Sequence, residues 1–187
     1  GVEGRALTAP VATDRLVLRR WRDEDRAPFA ALNADAETMR FLGGPMPRER
    51  SDAMVAYLER HWAERGFGVW AVEAPGVAPL IGAVGLNRLR FDPPGGPAVE
   101  ILWRLHRDFQ GRGYATEAAR AAAAWAFART DLREIVAIAA PANRASIRVM
   151  EKLGMAADGF FAHPELPEDH PYRVHALFRL ARGAAPG

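Results

Sequence analysis

A phosphate is held by several N–H donors that converge on it, and the stretch Gln110-Gly111-Arg112-Gly113-Tyr114-Ala115-Thr116 has the composition of such a cradle. Glycines at 111 and 113 take backbone angles closed to other residues and leave room for oxygens to approach the main chain. Arg112 adds charge, Ala115 keeps the start of the following helix unobstructed, and Thr116 offers a hydroxyl donor. A helix that begins here contributes its unbonded first-turn N–H groups and the positive end of its dipole. Taken alone, a G-x-G more often makes a tight strand-to-helix turn than a binding site. The dinucleotide fingerprint is excluded because Thr116 stands where its third glycine belongs, and no G-K-[ST] follows to make a Walker loop.

Other reactive side chains are few. Cysteine is absent, which excludes a cysteine nucleophile, thiolate metal sites and disulfides. His163 and His170 bracket a Pro-bearing loop without metal-ligand spacing, so no metal is expected. His61 reads as part of a solvated helix face, and His175 as a residue that either reaches a pocket or packs. The net charge of +2 rests almost wholly on arginine, Lys152 being the only lysine. These arginines are interspersed with Asp and Glu, the pattern of solvated faces, and no nucleic-acid partner is expected. No apolar run approaches the roughly 20 residues of a membrane span. The expectation is a soluble cytoplasmic protein with no membrane partner.

The 187 residues, 49% of them hydrophobic, suit one domain. We read 1–12 and 183–187 as flexible tails and 13–182 as the domain. Leu16, Leu18 and Trp21 alternate with Val17 and the arginines as a first strand, and Asp23 to Asp25 open a helix that runs to Asn33. A second helix starts near Pro47 and ends before Gly66. Strands follow at Phe67 to Val72, Leu80 to Leu89 and Val99 to Leu105, then the glycine turn and an Ala-rich helix from Tyr114 to Thr130. Ile135 to Ala140 is a strand, Asn143 to Leu153 a helix capped by Asn143 and stopped at Gly154, and Val174 to Leu180 alternates again. The order is that of a mixed sheet with helices between its later strands, α+β or three-layer α/β.

Three segments, in order, resemble the GCN5-related N-acetyltransferase superfamily. Gln110-x-x-Gly113-x-Ala115 is similar to its [QR]-x-x-G-x-[GA] signature. Thr13-Asp14-Arg15-Leu16-Val17-Leu18-Arg19 resembles the opening strand of the branch that contains the ribosomal-protein N-terminal alanine and serine acetyltransferases. Asn143 to Met155 resembles that branch's N-x-x-S-x-x-V-x-E-K-x-G-[FM] helix. The resemblance implies a splayed, mostly antiparallel sheet of about seven strands with helices on both faces. It implies direct transfer of acetyl from acetyl-CoA to a primary amine, on a protein N-terminus or on a small molecule such as an amino acid, polyamine or aminoglycoside.

The resemblance also implies roles. Pantetheine would lie between the strands at Val99 to His106 and Ile135 to Ala140, bonded to the backbone near Arg104, Leu105 and His106, where an N–H would hold the oxyanion. Gln110, Gly111, Arg112, Gly113, Tyr114, Ala115 and Thr116 would bind the pyrophosphate, and Asn143 would both cap its helix and touch pantetheine. Glu100 is the candidate general base. A Tyr acid used by many relatives aligns with Met150, so Ser146 takes that place. Trp21, Asn87, Trp103, Tyr172 and His175 are candidate acceptor-pocket residues. Because Met150 departs from the pattern, a catalytically silent acyl-CoA-binding or regulatory domain is the alternative expectation. A homodimer is consistent with the family, although no interface motif is evident.

Overall fold

The structure is a computed structural model that describes residues 9–184. Alternation along β3 (Val69–Ala74) shows how the layers arise. Val69 and Ala71 turn to one cluster of buried residues, and Trp70, Val72 and Ala74 to another, so the strand is covered on both faces. With β1 (Val11–Ala12), β2 (Val17–Arg19), β4 (Ala78–Arg88), β5 (Val99–Leu105), β6 (Glu134–Ala139), β7 (Ala156–Ala162) and β8 (Val174–Ala181), it forms an eight-stranded sheet in the order β1-β2-β3-β4-β5-β6-β8-β7. Every neighbouring pair is antiparallel except β5 and β6, which run parallel.

Helices α1 (Arg26–Ala34) and α2 (Arg48–Arg65) cover the face of Val69 through Phe29, Leu32, Val55 and Leu58. Helix α3 (Tyr114–Arg129) lies on the opposite face with an alanine row, Ala118, Ala119, Ala122 and Ala126, whose small side chains bring it close to the strands. Helix α4 (Arg144–Lys152) joins that face through Val149 and Met150. The aromatic centre is Trp62, Trp70 and Trp125, edge-to-face with centroids 5.1 to 5.7 Å apart. Trp62 reaches it only because residue 68 is glycine, where a Cβ would stand 2.6 Å from the indole.

Three expectations change. The tail drawn as 1–12 lies outside the described residues up to position 8, but Val11–Ala12 pair with β2, giving one strand more than the seven expected. Most of the tail drawn as 183–187 also lies outside the described residues. The first strand stops at Arg19, two residues short of Trp21, because Arg19 turns inward to a bidentate ion pair with Asp25 at 2.8 and 2.9 Å. Trp21 is then a core residue, edge-to-face on Phe29 and donating to the Val69 carbonyl at 2.9 Å, and does not line a pocket.

His61 is not on a solvated face; it is 5% exposed and bridges two strands' ends. The Arg88 N–H donates to its Nε2 at 2.9 Å, so the proton sits on Nδ1, which donates to the Phe67 carbonyl at 2.9 Å. Burial holds its pKa below the ordinary value. A depressed histidine pKa stabilises the fold fully above about pH 6.5, the unfolded value, and that contribution is lost as pH falls. Replacing His61 by Ala is expected to cost about 1–3 kcal/mol at pH 8, by stranding a buried N–H and C=O, and to flatten the fall in stability between pH 7 and 5. Urea unfolding of both proteins at several pH values checks this.

Candidate active site

Strands β5 and β6 are joined by one bridge, Glu100 opposite Val136, and then part. The polarity of the freed edge follows from the register with β4. The His106 N–H donates to the Ile81 carbonyl and the Leu89 N–H to the Ala98 carbonyl, so even-numbered residues of β5 bond toward β4. Odd-numbered ones point the other way. Beyond the bridge, the main-chain N–H groups of Trp103 and Leu105 therefore face the gap, and the Leu105 carbonyl accepts from the Gln110 side chain at 2.9 Å. This corrects one expectation: the N–H of His106 is committed to the sheet and is not a free donor.

Two helix starts converge on the gap, which opens into a cleft of about 530 Å³ lined by Trp103, Leu105, Gln110, Tyr114, Asn143 and Ser146 among others. In α3 the first intrahelical bond is from the Glu117 N–H to the Gly113 carbonyl, so the N–H groups of Tyr114, Ala115 and Thr116 have no intrahelical partner. Gly113 is the left-handed cap, φ +81°, and Gly111 has φ +75°. In α4 the Asn143 side chain accepts from the Ser146 N–H at 3.3 Å. Arg144, Arg148 and Lys152 line the cleft and add positive charge, which suits a phosphate-bearing ligand.

The glycine turn is held from behind by the chain's opening motif. Glu117 accepts from the Thr13 hydroxyl at 2.6 Å and from the Arg15 N–H and Nε at 3.0 and 2.8 Å. Desolvation works to raise the Glu117 pKa, but these bonds outweigh it and hold it below the usual carboxylate value. Arg15 also donates to the Arg112 carbonyl at 2.9 Å and lies over the Tyr114 ring at 4.5 Å. Two motifs separate in sequence are one object here.

Across the gap from Trp103, its indole N–H donates to the Ser146 hydroxyl at 3.2 Å. An indole can only donate, so the Ser146 hydroxyl accepts from it and its own proton remains available. Among the described residues Ser146 donates to no carbonyl of its helix. Met150 is 1% exposed and belongs to the core, so it has no access to the cleft. Trp103 thus stands on the α3–α4 side of the sheet.

Glu100 stands on the α1–α2 side. Its Oε1 accepts from the Asn87 side chain at 3.2 Å, and Asn87 in turn accepts from the Tyr57 hydroxyl at 2.7 Å. Desolvation pushes the Glu100 pKa up to about 7, against the Asn87 bond and the positive charge of Arg104, while Glu165 raises it further. Arg104 shares that face; its guanidinium donates to Asn33 at 2.7 Å and is itself held at about 10 by desolvation. Its side chain lies on the Glu100 face, while its main-chain N–H, at an even position, is committed to β4 like that of His106 and is not a free donor.

The remaining candidates scatter. His106 uses Nδ1 to accept from the Asp108 N–H at 3.2 Å, which caps the short turn Arg107–Phe109. Tyr172, in the β7–β8 connection, meets Phe41 of the α1–α2 connection edge-to-face at 5.0 Å. His175 is buried, 4.9 Å from the ring of His163. Tyr57 and Thr38, which accepts from the Arg107 N–H at 3.0 Å, have no signal in the sequence beyond a helical period and a loop. Among the described residues, no cluster of three or more metal-ligating side chains occurs and no helix is long and apolar enough to cross a membrane.

The model of the acetyltransferase (GNAT) domain matches residues 15–156. An uncharacterized N-acetyltransferase of Bacillus subtilis, YnaD, is 30% identical over 152 residues, covering 81% of this chain and 85% of its own. The crystal structure of an acetyltransferase from Agrobacterium tumefaciens is 27% identical, with TM-score 0.75, over 92% of this chain and 94% of that one. RimL, a ribosomal α-N-protein acetyltransferase in complex with coenzyme A, shares the fold at 18% identity and TM-score 0.75, over 92% of this chain and 98% of that one. With the parted strands, the free helix start and three-quarters of the length matched, the chain belongs to the GNAT acetyltransferase family and is an N-acetyltransferase.

Proposed function

We propose that this acetyltransferase uses acetyl-CoA and passes its acetyl group directly to a primary amine. The observation that carries the reading is the gap itself: free N–H groups of Trp103 and Leu105 on one wall, and the unbonded helix start Tyr114 to Thr116 at its end. A pantetheine arm suits the wall as an added strand, and a pyrophosphate suits the helix start. The coenzyme A complex of RimL supports the same ligand.

The chain's own groups then divide the chemistry. The Trp103 N–H polarises the thioester carbonyl, since it is the first free donor beyond the bridge and lies level with Ser146. Glu100 takes the proton of the attacking amine. Three residues of strand, about 10 Å, separate it from Trp103, so the proton passes through water. Ser146 gives its proton to the departing thiolate. As the amine nitrogen bonds to the acetyl carbon and the C–S bond breaks, one proton leaves the amine and one reaches sulfur. No acyl-enzyme is needed, in keeping with a chain that has no cysteine.

The silent-domain alternative rested on Met150. Its burial in the core makes that residue a packing choice and leaves the acid role with Ser146, which favours turnover. A base must be unprotonated to act, so kcat/KM is expected to rise with pH through about 7, the Glu100 value. Glu100→Gln is expected to lower kcat/KM about 10²- to 10⁴-fold and to leave only the amine's own ionisation in the profile. Because a raised carboxylate pKa destabilises the fold as pH climbs through it, the same variant should be no less stable than the parent at pH 8. An unchanged profile would remove Glu100 from the mechanism. Arg15→Ala, which frees Glu117 and the Arg112 carbonyl, should raise KM for acetyl-CoA about tenfold, roughly 1.4 kcal/mol, with kcat little changed. Steady-state thiol release measures both.

A further inference from the structure

The register locates a second group of residues at the open end of the acceptor side. Glu100 lies opposite Val136, so four residues further on Arg104 and Ala140 stand level on the two banks of the gap. Strand β8 pairs with β6 up to Ala139 and Ala176, which brings His175 beside Ala140. The β7–β8 ladder sets Phe161 against His175 and is extended by the His163 N–H donating to the Arg173 carbonyl at 2.8 Å. By the alternation of paired strands, Phe161, His163, Arg173 and His175 share one face. It is the face of Glu100, since β6 and β8 residues of the other parity, Ala139 and Ala176, join the α3–α4 core.

An apolar wall covers part of this face. The His163 ring lies 4.7 Å from Phe91 and 4.9 Å from His175. Burial holds both imidazoles below their ordinary pKa, so neither brings a charge at neutral pH. Beside this wall Arg173 is half-buried, its Nε sealed from water without a hydrogen-bond partner. Its guanidinium makes no side-chain hydrogen bond and no ion pair among the described residues. Arg19, Arg20 and Arg179, of comparable or greater burial, are each paired with a carboxylate. Keeping a guanidinium partly desolvated without an anion costs stability, and so points to an anion supplied from outside.

We propose that Arg173 binds a carboxylate of the acceptor, making this an N-acetyltransferase for amino acids or other small amines that carry a carboxylate on an apolar body. The inference rests on the acetyl transfer proposed above and deepens it. The amine end would sit at the thioester beside Trp103, with Glu100 taking its proton through water, and Arg173 would hold the acid end. The other cations near this side are engaged, Arg90 over the Tyr57 ring at 5.2 Å and Arg104 with the Asn33 side chain at 2.7 Å.

Binding of N-acetylphenylalanine and of N-acetylphenylalaninamide, in the presence of coenzyme A, tests this by calorimetry without relying on turnover. The two ligands differ only in the carboxylate. The acid is expected to bind at least about tenfold more tightly, and Arg173→Gln to abolish the difference while leaving the amide's affinity unchanged. Equal binding of the pair, binding of neither, or a preference that survives in Arg173→Gln would overturn the proposal. Thiol release with phenylalanine and acetyl-CoA separates the two readings. Transfer without discrimination of the pair contradicts the Arg173 site alone, and acid-selective binding without transfer to any amine contradicts the transfer reaction alone.

Discussion

One parallel bridge, Glu100 beside Val136, is the constraint on which the site depends. Had β5 and β6 stayed paired, Trp103 and Leu105 would have spent their N–H groups on β6 and the sheet would have been closed. Their parting leaves main-chain donors without partners in the middle of a sheet, a costly arrangement unless a ligand or water satisfies them. The helix starts after Gly113 and Asn143 sit at the same opening, so unbonded donors from strand and helix collect in one place. The bridge also divides labour. Trp103 and Ser146 stand on one side of the sheet, and Glu100, Asn87 and Tyr57 on the other.

The two sides demand different kinds of support. At the glycine turn the chain holds backbone with charge-assisted bonds from Thr13 and Arg15 to Glu117 and from Arg15 to the Arg112 carbonyl. On the opposite face it holds one carboxylate, Glu100, at the edge of ionisation. Burial does that, and the Tyr57–Asn87 chain fixes which Glu100 oxygen is bonded, leaving Oε2 without a hydrogen bond among the described residues.

Local pattern made most of the fold legible. Alternation, the Asn143 cap and the glycines at 66, 113 and 154 set most element types and boundaries, because each is decided by neighbours within a few residues, whereas the strands Val11–Ala12 and Ala156–Ala162 had no such signal. The parity of β5 was not legible. Which of Arg104, Leu105 and His106 has a free N–H depends on pairing with Ile81, more than twenty residues away, and nothing in the stretch itself signals it. Trp21 and Trp103 looked alike as pocket aromatics, yet the inward turn of Arg19 sent one to the core while the other met Ser146 across the gap. His61 was read as solvated for the same reason: its partners, Phe67 and Arg88, come from other elements. Nothing in the sequence separates Arg173 from the other arginines, because what sets it apart is an Nε sealed from water without a hydrogen-bond partner in a guanidinium that forms no ion pair among the described residues.

We propose that acetyl-CoA satisfies the backbone donors that the parting of β5 and β6 leaves free. Residue-resolved amide hydrogen exchange, with and without acetyl-CoA, tests it most directly. Slowed exchange is expected at Trp103, Leu105, Tyr114, Ala115 and Thr116, with His106 unchanged because its N–H is already bonded to the Ile81 carbonyl. Slowed exchange elsewhere in the sheet, with these five amides unaffected, would contradict it.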